Sequence, residues 1–425
     1  MSQPSTAPGG LQIWRDLAHD GRLLFGTRIT RLFAYGFLSV VLVLYLAQVG
    51  LQETEIGLLL TLTLIGDTFI SLWITTSADR IGRRTMLIIG AGLMLFAGLL
   101  FIVTQDFLLL LIAATLGIIS PSGYEVGPFL AIEQAALSQL LPDARRTQVF
   151  AWYNLVGTLA TALGALCGGG LTQILQDTGV APLASYRIVL AGYALIGLLL
   201  AAIFSRLSTA IEVEHPLSTR PSIFQPDLGL RQSRATVLRL SGLFAIDAFG
   251  GGFVVQSIVA YWFHVRFGVG PAALGGIFFG ANVLAAISAL SATRIAARIG
   301  LVNTMVFTHL PSNVILMLVP LMPTLPWAIA MLLVRFSISQ MDVPTRQSYT
   351  MAVVTPEERS AAAGVTGIAR TIGAALAPVI TGPLLATPAL LSVPFFLAGG
   401  LKIIYDLLLY RSFQTVKPPE ERGGV

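Results

Sequence analysis

Six ionisable residues stand inside long apolar runs, at Asp67, Glu125, Asp247, Arg335, Asp342 and Arg370. A charge at the centre of a membrane-spanning helix costs ~2.5–3.5 kcal/mol, so such groups face a cavity, a partner or an ion pathway. Carboxylates and guanidiniums mixed in this way can bind a solute, hold a proton or exchange partners. Glu125 lies between Pro121, Gly123, Gly127 and Pro128. That composition should kink or unwind a helix, freeing carbonyls that are tolerated only where protein or water surrounds them. Asp247 precedes Gly250, Gly251 and Gly252, and Arg335, Asp342 and Arg346 flank Pro344. Glu125, Asp247, Arg335 and Asp342 read as the core of a solute and ion site, with mutual neutralisation as the alternative. Glu133 and Arg346 are expected near the mouth of that site. Lys402 and Asp406, spaced i, i+4, are expected to pair along one helix face, and His309, ahead of Pro311, to act as a packing or polar filler, with proton relay as the alternative.

The elements that hold these residues are membrane helices. Hydrophobic residues form 55% of the 425 positions and charged residues 11%, with a mean hydropathy of +0.80. A water-soluble domain of this size carries far more charge, so the bilayer is the solvent. The net charge of +5 sits in short caps between apolar runs rather than on one face, which argues against nucleic acid. Cys167 is the single cysteine, which excludes an intrachain disulfide and a cysteine-built metal site. The first 20 residues contain Asp16 and Asp20 and no apolar signal core, so no cleaved leader is expected. Leu11, Trp14, Leu17 and Leu24 suggest a short amphipathic segment at the interface.

Spanning takes about 20 apolar residues. Twelve segments qualify, near 29–48, 56–77, 85–104, 107–130, 149–174, 187–205, 237–262, 272–293, 303–323, 326–352, 361–386 and 388–410. The expected organisation is an N-terminal segment at 1–28, a six-helix bundle at 29–205, a linker at 206–236, a second bundle at 237–411 and a tail at 412–425. Arg15, Arg22, Arg80, Arg83, Arg84, Arg145, Arg146, the linker arginines, Arg294, Arg298, Arg359, Arg411 and Lys417 fall in every second loop. The alternate loops hold Glu53, Glu55, Asp106 and Asp177 and few bases, so the base-rich loops and both termini are expected to be cytoplasmic. Tyr45, Trp262, Trp327, Trp73 and Trp152 fall at predicted helix ends and read as interfacial anchors. The halves repeat. Gly50, Gly57, Ala78, Arg80, Ile81 and Gly82 recur as Gly268, Gly275, Ala296, Arg298, Ile299 and Gly300, each 218 positions on. Two parallel six-helix repeats with a site between them near the midplane are a carrier design.

Asp79, Arg80, Gly82, Arg83 and Arg84 lie between spans 2 and 3, and there the chain resembles the major facilitator superfamily (MFS) over roughly residues 25 to 412. Thr75 stands where that motif has its first glycine. The resemblance implies an all-α membrane protein of twelve transmembrane helices in two pseudo-symmetric bundles. It also implies that this turn locks the bundles on the cytoplasmic side, Asp79 facing the start of span 11. Thr355, Pro356, Glu357 and Glu358 there read as a capping box. Spans 1, 4, 7 and 10 would line the cavity, and spans 2 and 11 would face each other, so that Asp67 and Arg370 form a state-dependent ion pair or carry a coupling proton. Gly164, Gly168 and Gly169 match the span-5 pattern of drug/proton antiporter-like members except for Ala165, and serve equally as close helix packing. The arginine that those exporters carry on span 4 is replaced by Ala113.

The function expected is secondary active transport by alternating access: proton-coupled efflux of a small organic or amphipathic compound. The alternatives are proton-coupled import of a small polar or anionic solute, with Arg335 as an anion clamp, and a non-transporting receptor on the same fold. No nucleotide loop, metal-ligand cluster or Ser-His-Asp set is visible, so an enzyme is not expected. The expected partners are a small-molecule substrate and the lipid bilayer, without nucleic acid. The expected form is a monomer in the plasma membrane, with no cofactor and the proton motive force as energy source.

Overall fold

The computed structural model describes residues 17–141, 143–212, 230, 232–355 and 358–416, apart from the side chains at 143–145, 147 and 360. Leu11, Trp14, Arg15, most of the linker with Pro216, Arg220, Pro221, Pro226 and Arg231, and Pro356, Glu357 and Lys417 lie outside the described residues, and so does the side chain of Arg145. Among the described residues all regular structure is helical. The helices are α1 (His19–Ser39), α2 (Leu42–Val49), α3 (Glu53–Ile81), α4 (Arg83–Val103), α5 (Phe107–Leu116), α6 (Phe129–Leu140), α7 (Asp143–Asp177) and α8 (Pro182–Phe204). The second half supplies α9 (Arg234–Gly252), α10 (Gln256–Phe267), α11 (Pro271–Ile299), α12 (Leu301–Leu318), α13 (Leu325–Ser339), α14 (Asp342–Ala352), α15 (Arg359–Ala386) and α16 (Val393–Phe413).

Nine described helical segments are long and apolar enough to cross a membrane, and the pair α1 and α2, bent by 44°, makes a tenth. Expected spans 4 and 10 are absent from that set because each is broken. Span 4 divides into α5 and α6 around a non-helical stretch at 117–128, and span 10 into α13 and α14 at Gln340 and Met341. Pro344 sits in the first turn of α14 instead of forming the break, which suits a residue without an N–H. Span 7 bends after its three glycines into α9 and α10.

The repeat extends from the matched positions to helix length. Helices α3 and α11 each run 29 residues from equivalent starts. Each ends at a glycine of positive φ, +115° at Gly82 and +86° at Gly300, which turns the chain directly into the next helix. The N-terminus departs from expectation. Helix α1 begins at His19 rather than near 29, and Leu17 and Leu24 are buried in the bundle rather than spread on an interface. Arg22 and Arg28 made the hydropathy pattern start late. Tyr45 and Trp262 are likewise buried in the core, while Trp73 and Trp327 are exposed as anchors should be.

The halves meet along α3–α15 and α7–α11. A Cβ on Gly57 would lie 2.4 Å from the Pro378 carbonyl oxygen, and one on Gly169 would lie 2.2 Å from that of Pro271. Small residues let backbones of opposite halves touch, as membrane helices require when no hydrophobic drive joins them. Hydrogen bonds from Tyr261 Oη to Glu53 (2.8 Å), Gln256 Nε2 to Ser39 (2.7 Å) and the Val379 N–H to Thr61 (2.8 Å) cross the same seam. All of these contacts lie toward the face that holds Glu53 and Glu55. Gly57→Ala is therefore expected to force this seam apart, at a cost of about 1–3 kcal/mol for overpacking. Spin-label distances across residues 53 and 261 should lengthen; unchanged distances would show that the contact is not what closes this face.

Candidate functional site

Between the halves lies a cavity of about 830 Å³, whose lining reaches Thr75 on α3 and Ala363 on α15, toward the base-rich face. Among the described residues the seam closes the opposite face, and the cavity extends toward the base-rich face. Asp67, Glu125, Asp247, Arg335 and Arg370 line the cavity, joined by Lys402, Tyr124, Phe278, Phe336 and Gln256. Five of the six anticipated residues are thus brought together. Asp342 is not; it lies behind the wall, 3.2 Å from Arg346.

The N-terminal wall is neutralised within itself. Arg31 is fully buried, with Nη1 and Nη2 donating to the two carboxylate oxygens of Glu133 at 2.7 Å each and Nε donating to Glu125 at 3.0 Å. Arg28 pairs with Glu125, and the Tyr153 hydroxyl donates to Glu133. This quartet pins the unwound stretch of span 4 to α1. Glu133 is consequently a fully buried partner and not a solvated group at the mouth, because the Arg31 guanidinium and the Tyr153 and Thr27 hydroxyls offset its desolvation. Sequence reasoning missed these arginines: Arg28 falls just ahead of the expected first span at 29–48 and Arg31 just inside it, and neither was singled out. Their i, i+3 spacing, which puts them on one helix face, was the available signal.

The C-terminal wall is organised around Asp247. Lys402 Nζ donates to its Oδ1 at 2.6 Å and Arg346 Nη1 to its Oδ2 at 3.0 Å. Arg346 is therefore buried in this network and is not a mouth residue. The expected Lys402–Asp406 pairing does not form. Lys402 turns toward α9, and Asp406 accepts from Asn313 Nδ2 at 2.9 Å and faces His309 Nδ1 at 2.9 Å. A buried carboxylate gains more from two charge-assisted or amide donors on another helix than from one strand of i, i+4 contact. His309 accordingly fills its buried position as a polar link between α12 and α16.

Three cavity groups lack an ion pair among the described residues. Asp67 is met by Ser71 Oγ at 3.4 Å. Arg335 lies 4.9 Å from the Phe336 ring centroid, and the Nε atoms of both Arg335 and Arg370 are buried without a hydrogen-bond partner. Asp67 and Arg370 line the same space from opposite halves without pairing. At the base-rich face, among the described residues, no hydrogen bond or ion pair joins the turn after α3 to α15. Asp79 pairs with Arg83 at 2.9 Å and is largely exposed, and the backbone N–H groups of Arg83 and Arg84 donate to Glu212 at 2.7 and 3.1 Å. Glu358, at the start of α15, accepts from the Gln232 and Ser233 N–H groups. Each half thus satisfies its own helix ends, as it must when the halves are parted there. Thr75 bonds back to the Ser71 carbonyl. The span-5 glycines are packing positions: a Cβ on Gly164 or Gly168 would lie 2.1 Å from a carbonyl oxygen of α1, at Phe33 or Phe37.

Two repeated helical bundles around a charged cavity open at one face define a multi-pass membrane transporter, not an enzyme. The chain belongs to the Major Facilitator Superfamily, whose model matches residues 24–378. It is 33% identical over 426 residues to the uncharacterized membrane protein YJR124C of Saccharomyces cerevisiae, covering 94% of this chain and 95% of that one. A mutant of the nucleoside transporter NupG shares the fold with a TM-score of 0.73 at 12% identity, covering 93% of this chain and all of its own. A D-xylose-proton symporter does so with a TM-score of 0.71 at 14% identity, covering 95% and 99%.

Proposed function

We propose that this transporter carries a small organic anion through the central cavity by alternating access, coupled to protons. The base-rich face is taken as cytoplasmic, and the protein as a monomer in the plasma membrane. The observation that carries this reading is the pair Arg335 and Arg370, cavity-lining guanidiniums with unbonded, buried Nε atoms. An unsatisfied buried donor costs about 1–3 kcal/mol, and more for a charged group, which a bound carboxylate or phosphate would return through forked hydrogen bonds. Tyr124, Phe278 and Phe336 offer an apolar body beside that charge, so the solute has an acidic head and an organic remainder. Efflux of a small organic or amphipathic compound remains compatible with this cavity, but the span-5 pattern gives it no separate support, because those glycines pack against α1 and α11.

The test uses the full chain in proteoliposomes with an imposed pH gradient and labelled salicylate, succinate and phosphate, beside uridine, xylose and a cationic dye. Gradient-dependent flux of one or more anions is expected, with Arg335→Gln reducing it. The sign of the pH change inside the vesicles distinguishes uptake with protons from exchange against them. Flux confined to the neutral or cationic probes would overturn the anion reading.

A further inference from the structure

Behind the cavity wall, His309 stands with one ring nitrogen toward each of two carboxylates. Its Nδ1 lies 2.9 Å from Asp406 Oδ1 and its Nε2 lies 3.8 Å from Asp247 Oδ1. That second oxygen is the one to which Lys402 Nζ donates at 2.6 Å, while Arg346 holds the other oxygen of Asp247. The ammonium and the imidazole therefore compete for one acceptor. Lys402 also lines the cavity, whereas His309 is buried behind it.

We infer that His309 is a proton-binding site governed by Lys402: when the ammonium leaves Asp247, His309 Nε2 takes up a proton and donates it to the vacated oxygen. The balance is simple. A neutral imidazole with its hydrogen on Nδ1 becomes an imidazolium, and the proton comes from water in the open cavity. No bond other than N–H forms. An anion in the cavity supplies the reason for Lys402 to move, so solute and proton enter together. That clause rests on the anion reading; the site itself does not.

The surroundings support the exchange. From α9 comes Asp247; from α14 come Asp342 and Arg346; from α15 comes Arg370; from α16 come Lys402, Asp406 and the Tyr405 ring, 5.9 Å from the imidazole centroid. Asn313, one turn along α12, donates to Asp406 Oδ2 at 2.9 Å and fixes that carboxylate. Losing Lys402 from the set removes a positive charge, and a proton on His309 restores it. Histidine is the side chain that ordinarily changes charge near neutral pH, and a neighbouring carboxylate tunes that change.

The experiment is solute-free. The full chain, labelled with 15N-histidine in detergent micelles, has four histidines, and His309→Gln assigns the resonance of interest. In the unmodified protein at pH 7.5 the His309 signals should show one protonated and one bare nitrogen. In Lys402→Met the Nε2 resonance should move to the protonated position, while Lys402→Arg should keep the original pattern. Asp247→Asn, nearly isosteric, serves if the methionine variant does not fold. There Nε2 should stay bare as the pH is lowered to a value at which the unmodified chain has taken up its proton. A bare Nε2 in Lys402→Met, or an Asp247→Asn variant titrating like the unmodified chain, overturns the proposal. Failure of anion flux with the Lys402→Met shift intact would sink only the anion reading.

Discussion

Replacing Arg31 with Gln is expected to remove roughly 3–5 kcal/mol of stability, the usual cost of breaking a buried ion pair from one side. Two carboxylates depend on this guanidinium, Glu133 and Glu125, each through both oxygens. Neither Arg31 nor Glu133 is exposed to solvent, so no water can replace the lost donors. Arg28 would remain, but it already pairs with Glu125, and Glu133 would keep only Tyr153 and Thr27. Chemical unfolding in mixed micelles measures the loss. The double variant Arg31→Gln, Glu133→Gln should recover most of it, because Arg28 and Glu125 then form a balanced pair and the two amides carry no charge. A single variant within about 0.5 kcal/mol of the unmodified chain, the range of an ordinary surface substitution, would show that the quartet does not hold α1 to span 4.

The distance between sequence and structure follows the same charges. Helix positions, repeat and base-rich loops were legible because bilayer thickness and translocation bias act on residues locally. Thus α3 and α11 fall where the 218-residue offset puts them. Also legible was the unwound stretch around Glu125, since prolines and glycines at that density leave no regular helix. Partners were not legible. A hydropathy window sees Arg28 as an end to the span and Arg31 as an isolated charge inside it, and cannot see that Glu125 and Glu133, far along the chain, neutralise them. Likewise Lys402 and Asp406 have the spacing of a helix-surface pair. Only the packing of α9, α12 and α16 shows that their better partners are on other helices. Site membership came from burial of charge, which is a local signal; pairing came from tertiary placement, which is not.

Asp67 and Arg370 supply the second large effect. They line one cavity from opposite halves and are unpaired while the base-rich face is open. For the carrier to close that face, α3 and α15 must approach at this end as they already do at the other, which would bring carboxylate and guanidinium together. A charge-assisted hydrogen bond made in only one state is worth about 1.5–3 kcal/mol, so losing it should slow solute exchange roughly 10- to 100-fold. Asp67→Asn and Arg370→Gln are each expected to show that loss in proteoliposome exchange, with the double variant no worse than either single one. The swapped pair Asp67→Arg, Arg370→Asp should regain part of the rate, since the contact needs opposite charges and not a given order. Arg370 also faces the proposed anion, so its single variant should weaken solute affinity as well, whereas Asp67→Asn should change rate alone. That split separates closure from binding. If the double variant exchanges solute at the unmodified rate, the two residues neither couple nor gate, and closure of the base-rich face has to rest on other contacts.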